Sequence, residues 1–178
     1  MKLRANRLIL NSLSELDYNR FVETMLTDER VVPFFYSYQG LTDLEEIRIK
    51  AQKDFWAYFV KARKNNLEIW AAYKEDKPKT LVGWCGLVLS ELTEKYGDSE
   101  LQYMIAGVCH GKGIATEMAE ATLRHAKDTL NLKRIIATVD IPNIGSIRVL
   151  EKLGFDNIGQ IEAYGSTEMY LFEKFLNK

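Results

Sequence analysis

Residues 100–131 read ELQYMIAGVCHGKGIATEMAEATLRHAKDTLN. A short apolar run, Leu101 to Ile105, gives way to a glycine-bearing turn, Gly107 to Gly113, and a helical pattern opens at Ile114 or Ala115. Strand, glycine turn and helix in this order form an anion cradle. Glycine lets the backbone take positive φ and come close to a phosphate. The first helical turn then offers unpaired N–H groups at the positive end of the helix dipole. Two common phosphate motifs do not fit. The G-x-G-x-x-G fingerprint fails at Thr116, and G-x-x-x-x-G-K-[ST] fails because Ile114, not lysine, follows Gly113. The remaining G-x-G turn is weak evidence on its own, since an ordinary tight turn into a helix looks the same.

Upstream, Glu68–Tyr73 and Thr80–Leu89 read as strands paired around a polar turn at residues 74–79. Gly83 and Gly86 point to a bulge or a close backbone approach, and Cys85 to a small buried hydrophobe. Residues 91–97 read as a charged loop. A long helix starts at Thr42 or Asp43 and reaches about Lys64, with Ile47, Ala51, Phe55, Tyr58 and Phe59 on one face. Ser14 and Asp17 both suit the N-cap of an earlier helix ending near Leu26. Arg7–Leu10 reads as the first strand, and Phe34, Phe35 and Tyr36 fall in a loop after Pro33.

Downstream, the helix after the turn buries Ala115, Met118, Ala119, Thr122, Leu123, Ala126 and Leu130. His125 lies beside that stripe and reads as structural. Arg134–Val139 is a buried strand. Asn143 caps a short helix whose third residue is Ser146, and Gly154 ends it in a left-handed cap. Two last strands cover about Phe155–Ala163 and Thr167–Phe175. The order β-α-α-β-β-β-α-β-α-β-β predicts an α/β (mixed α+β) fold: one domain over residues 1–178, with six to seven strands in a mixed sheet and helices on both faces.

The 178 residues, 47% hydrophobic and 28% charged, have the balance of a soluble globular protein. A net charge of −1 without a basic block argues against a nucleic-acid partner. No run resembles a signal peptide or a membrane span, so a cytoplasmic protein with no membrane partner is expected. Cys85, Cys109, His110 and His125 form no ligand pattern, so no metal is expected. Cys109 beside His110 is not read as a nucleophile–base pair, because adjacent turn residues rarely orient for such contact.

Three blocks carry a family resemblance: ELQY at residues 100–103, HGKGIATE at residues 110–117, and N-x-x-S-x-x-V-L-E-K-L-G-F from Asn143 to Phe155. A weaker echo, RLIL, sits at Arg7 to Leu10. With them the chain resembles the GNAT superfamily of acyl-coenzyme A N-acyltransferases, and within it the branch of ribosomal-protein alanine and serine N-terminal acetyltransferases. The resemblance implies a sheet whose fourth and fifth strands (Ser99–Ile105 and Arg134–Val139) splay apart, the pantetheine arm of acetyl-CoA lying in the gap. It implies backbone N–H groups from His110 through Gly111, Lys112, Gly113, Ile114 and Ala115 around the pyrophosphate, with Lys112 and the Thr116 hydroxyl as possible additions. An oxyanion donor is expected at Met104 or Ile105, and Asn143 on the coenzyme arm.

An alkylammonium must lose a proton before it can attack, and Glu100 occupies the position of the family's strand glutamate, with Asp98 as a substitute if the register slips. Much of the superfamily protonates the leaving thiolate with a tyrosine where this chain has Leu150; the N-terminal acetyltransferase branch carries a serine matching Ser146. Phe34, Phe35, Trp84 and Tyr103 are expected around the acceptor. The reaction implied is direct attack of a primary amine on acetyl-CoA in a ternary complex. A protein N-terminal amine is the first choice of acceptor. A polyamine, amino acid or amino sugar is the alternative, and Asp43, Glu45, Glu46 and Glu91 are available for a polyamine. A coenzyme-binding module without turnover and a plain α/β domain are the competing readings, and monomer or homodimer is left open.

Overall fold

The computed structural model describes residues 1–34, 40–164 and 166–176, and within them not the side chains of residues 15, 16, 34, 55, 56, 58 and 166–168. Phe35 therefore lies outside the described residues, as do the side chains of Phe34, Phe55 and Tyr58.

Eight strands form one mixed sheet in the order β1-β2-β3-β4-β5-β6-β8-β7. They are β1 (Lys2–Arg4), β2 (Leu8–Ser12), β3 (Ile69–Lys74), β4 (Leu81–Val88), β5 (Ser99–Ile105), β6 (Arg134–Asp140), β7 (Asp156–Ala163) and β8 (Ser166–Phe175). All neighbours are antiparallel except β5 and β6. The count exceeds the six to seven expected because β1 is three residues, KLR, with one apolar side chain and so no alternation to detect. Leu3 opposite Leu10 sets its register. Arg7, expected to begin a strand, stands in the turn before Leu8.

Helix α1 (Glu15–Phe21) is capped at Ser14. Asp17 is its capping-box partner rather than a rival cap: its Oδ2 accepts from the Ser14 N–H at 2.8 Å and from the hydroxyl at 2.6 Å. A π-helical turn, Val22–Leu26, continues it and buries Val22, Met25 and Leu26. Helix α2 (Leu44–Lys64) starts where Asp43 accepts from the Glu46 N–H at 2.8 Å and lays Ile47, Ala51 and Phe59 on the core. The charged loop 91–97 contains one helical turn, α3 (Thr93–Tyr96).

Helix α4 (Ile114–Asp128) buries the stripe read from its spacing, with Leu130 only partly covered beyond its end. Helix α5 (Ile144–Lys152) begins where Asn143 Oδ1 accepts from the Ser146 N–H at 3.1 Å, and stops at Gly154, φ +73°. No helix among the described residues is long and apolar enough to cross a membrane.

Strand alternation assigns the two faces of the sheet. Cys85 of β4 lies under α4, its sulfur accepting from the Thr122 hydroxyl at 3.3 Å, and burial pushes its thiol pKa up to about 12. Trp84 points the other way, edge-on to Phe21 of α1 at 6.4 Å between ring centroids. His125 is buried on the α4 side against the Trp70 ring at 5.2 Å. Burial holds its pKa below the ordinary value, with the Glu68 charge opposing, which fits the structural role expected.

Gly83 is the tightest point between layers. A Cβ there would overlap the Met104 carbonyl of β5 and crowd the Met118 methyl of α4. Gly83→Ala is expected to lower unfolding free energy by about 2 kcal/mol, the cost of forcing extra volume into a packed core; urea unfolding monitored by tryptophan fluorescence checks this.

Candidate active site

β5 and β6 are parallel, yet only Ser99–Ile135 and Glu100–Ile136 pair between them. The closed end is pinned. The Asp98 N–H donates to the Arg134 carbonyl at 2.8 Å, and its carboxylate accepts from the N–H groups of Lys133 and Arg134 at 2.5 and 3.0 Å. Gly97 lies so near Ile136 and Arg134 that a Cβ there would contact both. Past Glu100 the strands part, and residues 101–105 and 137–140 have no registered partners across the gap. Each strand is paired on its outer edge, β5 to β4 from Glu100 to Ile105 and β6 to β8 throughout.

The direction of the β5 amides follows from the ladder. The Ala106 N–H donates to the Val82 carbonyl at 2.9 Å, so in an antiparallel pair Met104, opposite Trp84, also spends its amide on β4. The N–H groups of Tyr103 and Ile105 turn toward the gap. Of the two expected oxyanion donors, Met104 is therefore excluded by register and Ile105 remains.

The glycine turn closes the open end of the gap. A 3₁₀ turn, Gly107–Cys109, uses the His110 N–H internally, on the Gly107 carbonyl at 3.2 Å, so the cradle begins one residue later than expected. Gly111 (φ +72°) and Gly113 (φ +74°) are left-handed, which a residue with a Cβ adopts only at a cost. A Cβ on Gly111 would meet nothing within 4 Å, and one on Gly113 only Arg7 Nη2 at 3.8 Å. Helix α4 has no side-chain N-cap, and among the described residues no acceptor takes the N–H groups from Gly111 to Thr116. Ile114 and Ala115 are buried at this corner, while Thr116 is half-buried. Lys112 turns back on its own loop, Nζ donating to the Val108 carbonyl at 2.6 Å.

Two contacts brace this loop. Arg7 donates through Nε to Glu117 at 2.8 Å and through Nη2 to the Lys112 carbonyl at 3.1 Å, while its own N–H donates to Glu117 at 2.5 Å. Asp28 takes both Arg30 Nε and Nη2, at 2.8 and 2.7 Å, and packs on Gly107, where a Cβ would overlap the pair.

Glu100 has no exposed surface. Its Oε1 accepts from the Thr138 hydroxyl at 2.8 Å and its Oε2 from the Tyr164 hydroxyl at 2.6 Å. The Glu100–Val88 register is intact, and Asp98 is occupied at the closed end, so Asp98 is no substitute. Glu100 shares the α1 face with Gln102, Met104 and Trp84. Tyr103, opposite Cys85, is on the α4–α5 face, where its hydroxyl reaches across the gap to the Ser146 carbonyl at 3.3 Å. Burial raises the Tyr103 pKa, keeping the hydroxyl protonated. Trp84 and Tyr103, expected together around the acceptor, are thus on opposite faces. Ser146 contributes its N–H to the Asn143 cap, and its half-buried hydroxyl stays outside that bond. Leu150, in place of the superfamily's tyrosine, is buried in the core.

The sequence matches the acetyltransferase (GNAT) domain family over residues 7–156. The chain belongs to the GNAT acetyltransferase family. It is an N-acetyltransferase, similar at 27% identity over 162 residues to the uncharacterized N-acetyltransferase YoaA of Bacillus subtilis, covering 91% of this chain and 86% of that one. The ribosomal-protein-S5-alanine acetyltransferase of Vibrio fischeri shares its fold, with TM-score 0.76 and 18% identity over 99% of this chain and 97% of that one. So does the spermidine N-acetyltransferase of Vibrio cholerae in complex with CoA and spermine, with TM-score 0.71 and 19% identity over 97% of each chain.

GNAT enzymes use acetyl-CoA, and this one has features that fit it: open space over two left-handed glycines, amides without acceptors, and an unpaired edge leading from them to Glu100. Among the described residues no cluster of side chains could hold a metal ion. Sequence reading missed Arg7, Asp28, Thr138 and Tyr164, which act at long range with no local pattern. Arg7 alone had a trace, in the RLIL echo.

The Arg30 guanidinium, with lesser help from backbone N–H groups including that of Gly107, lowers the Asp28 pKa from 3.8 to about 2. A carboxylate depressed in the folded state stabilises fully above its unfolded pKa, and that stability is lost as pH falls through the folded one. Asp28→Asn is therefore expected to lower the urea midpoint at pH 7, with a gap to wild type that is constant above pH ~5 and narrows below pH ~4.

Proposed function

We propose that this GNAT enzyme transfers acetyl from acetyl-CoA to the α-amine of a protein N-terminus by direct attack in a ternary complex. The interrupted pairing of β5 and β6 carries the reading. Backbone groups left open inside a sheet need a partner, and a pantetheine arm is an amide-bearing chain able to supply one. Amides from Gly111 to Thr116 hold the pyrophosphate, and Asn143 offers its side-chain N–H groups to the arm. The Ile105 N–H stabilises the oxyanion that forms as the amine attacks. Glu100 accepts the ammonium proton, directly or through one water. The Ser146 hydroxyl, at the start of α5, donates to the departing thiolate.

Two observations favour an N-terminal amine over a polyamine. Three acidic residues at α2 are already matched: Asp43 caps the helix, Glu45 lies 3.8 Å from Arg48, and Asp54 lies 3.0 Å from Lys50. The depression they line also holds Lys50 and Lys53, which oppose a polycation. On the Glu100 face of β5, Gln102, Met104 and the neighbouring Trp84 are uncharged. A single carboxylate suits a single amine, and an α-amine, with a pKa of about 7.7–8.0, gives up its proton more easily than an alkylamine near 10.

Thiol release from acetyl-CoA, measured over a panel of peptides, spermidine, amino acids and amino sugars, tests the acceptor. Alanine- or serine-initiated peptides are expected to react fastest; preference for spermidine overturns the acceptor, and silence across the panel overturns transfer. Glu100→Gln is expected to lower kcat by about a hundredfold or more. Ser146→Ala should lower it about ten- to a hundredfold, the worth of a hydrogen bond to a charged group, with KM for acetyl-CoA little changed in both. Gly113→Ala should instead raise that KM, because the left-handed cradle conformation is lost.

A further inference from the structure

We propose that Tyr164 is a positioning residue that holds the Glu100 carboxylate in place and conducts its proton to solvent; this rests on the reading of Glu100 as the base. Two independent observations meet at Tyr164. Its hydroxyl donates to Glu100 Oε2 at 2.6 Å, although 64 residues separate the two in sequence. Its backbone is left-handed, φ +55°, at the turn between β7 and β8. Among the described residues the other two left-handed ones with a Cβ are Asn66 and Asn131, a residue type that tolerates this region well, whereas an aromatic side chain pays about 1 kcal/mol or more. Strain of this kind persists where surrounding contacts over-determine it. Here the hydroxyl is anchored on a buried carboxylate, and the Tyr164 N–H faces Glu91 Oε1 at 3.4 Å.

The arrangement solves a problem that burial creates. Glu100 has no exposed surface, whereas Tyr164 is 37% exposed. After Glu100 takes the ammonium proton, its new O–H donates to Tyr164 Oη as the phenol releases its own proton to water. Glu100 returns to carboxylate, Tyr164 ends as the neutral phenol it began as, and one proton has moved from amine to solvent. Thr138 keeps Oε1 fixed meanwhile from β6. Among the described residues, the other hydroxyl bonded to Glu100 is that of Thr138, half-buried in β6.

The experiment compares wild type, Tyr164→Phe, Glu100→Gln and the double variant, with acetyl-CoA and either an alanine-initiated peptide or spermidine as acceptor. Tyr164→Phe keeps the ring and removes only the hydroxyl. It is expected to lower kcat about tenfold or more, with KM for acetyl-CoA and the melting temperature nearly unchanged, and to have no further effect once Glu100 is glutamine. A wild-type kcat in Tyr164→Phe while Glu100→Gln is slow would overturn the role of Tyr164 alone. So would a lowered melting temperature with kcat intact, which marks a structural peg, or effects that multiply in the double variant. A wild-type rate in Glu100→Gln, or no turnover by the wild-type protein, removes the base reading itself and the Tyr164 proposal with it.

Discussion

Two adjacent strands in this enzyme are paired along their outer edges but meet at only two residue pairs on their inner ones. β5 is locked to β4 over six registered residues and β6 to β8 over seven, so neither can shift to heal the gap. Asp98, bonded to the consecutive amides of Lys133 and Arg134 where β6 begins, and the close approach at Gly97 hold the strands together at one end. The other end opens toward the cradle and toward the start of α5. A protein rarely leaves inner-edge amides unmatched, and this opening makes them available to a chain that pairs as a strand would.

The pleat divides the chemistry. Side chains alternate across β5, so Glu100 and Gln102 face α1 while Tyr103 and Ile105 face α4 and α5. Ser146 stands on the second face, with the Tyr103 hydroxyl reaching to it. The sheet therefore carries a buried carboxylate, Glu100, on one face of the gap and the half-buried Ser146 hydroxyl on the other. The cradle is braced from outside: Arg7 joins the β1–β2 turn to Glu117 and to the Lys112 carbonyl, and Asp28 joins the segment after α1 to Gly107. Both braces come from the N-terminal third of the chain and tie it to the glycine turn.

Local signals carried much of this. The Asn143 cap, the Gly154 stop, the helix opening at Ile114 and its buried stripe depend on residues within a few positions of each other, and they stand as the sequence reading expected apart from Leu130, partly covered beyond the helix end. The strand β1 did not show, because three residues with one leucine have no period. The amide of His110 read as part of the cradle because a turn's internal bond to Gly107 leaves no trace in composition. Trp84 and Tyr103 read as neighbours because both are aromatic and stand near the thioester position; only the register of β4 against β5 shows that one residue of offset sends them to opposite faces.

By itself the sequence determined the order of elements, the glycine turn into α4, and the family, since each is written in spacings of seven residues or fewer and in blocks that keep their order. Tertiary structure alone decided where the sheet opens, which β5 amide points into the opening, and which hydroxyls surround Glu100. Those depend on pairings across 38 and 64 residues of chain, and no local propensity encodes a contact at that distance.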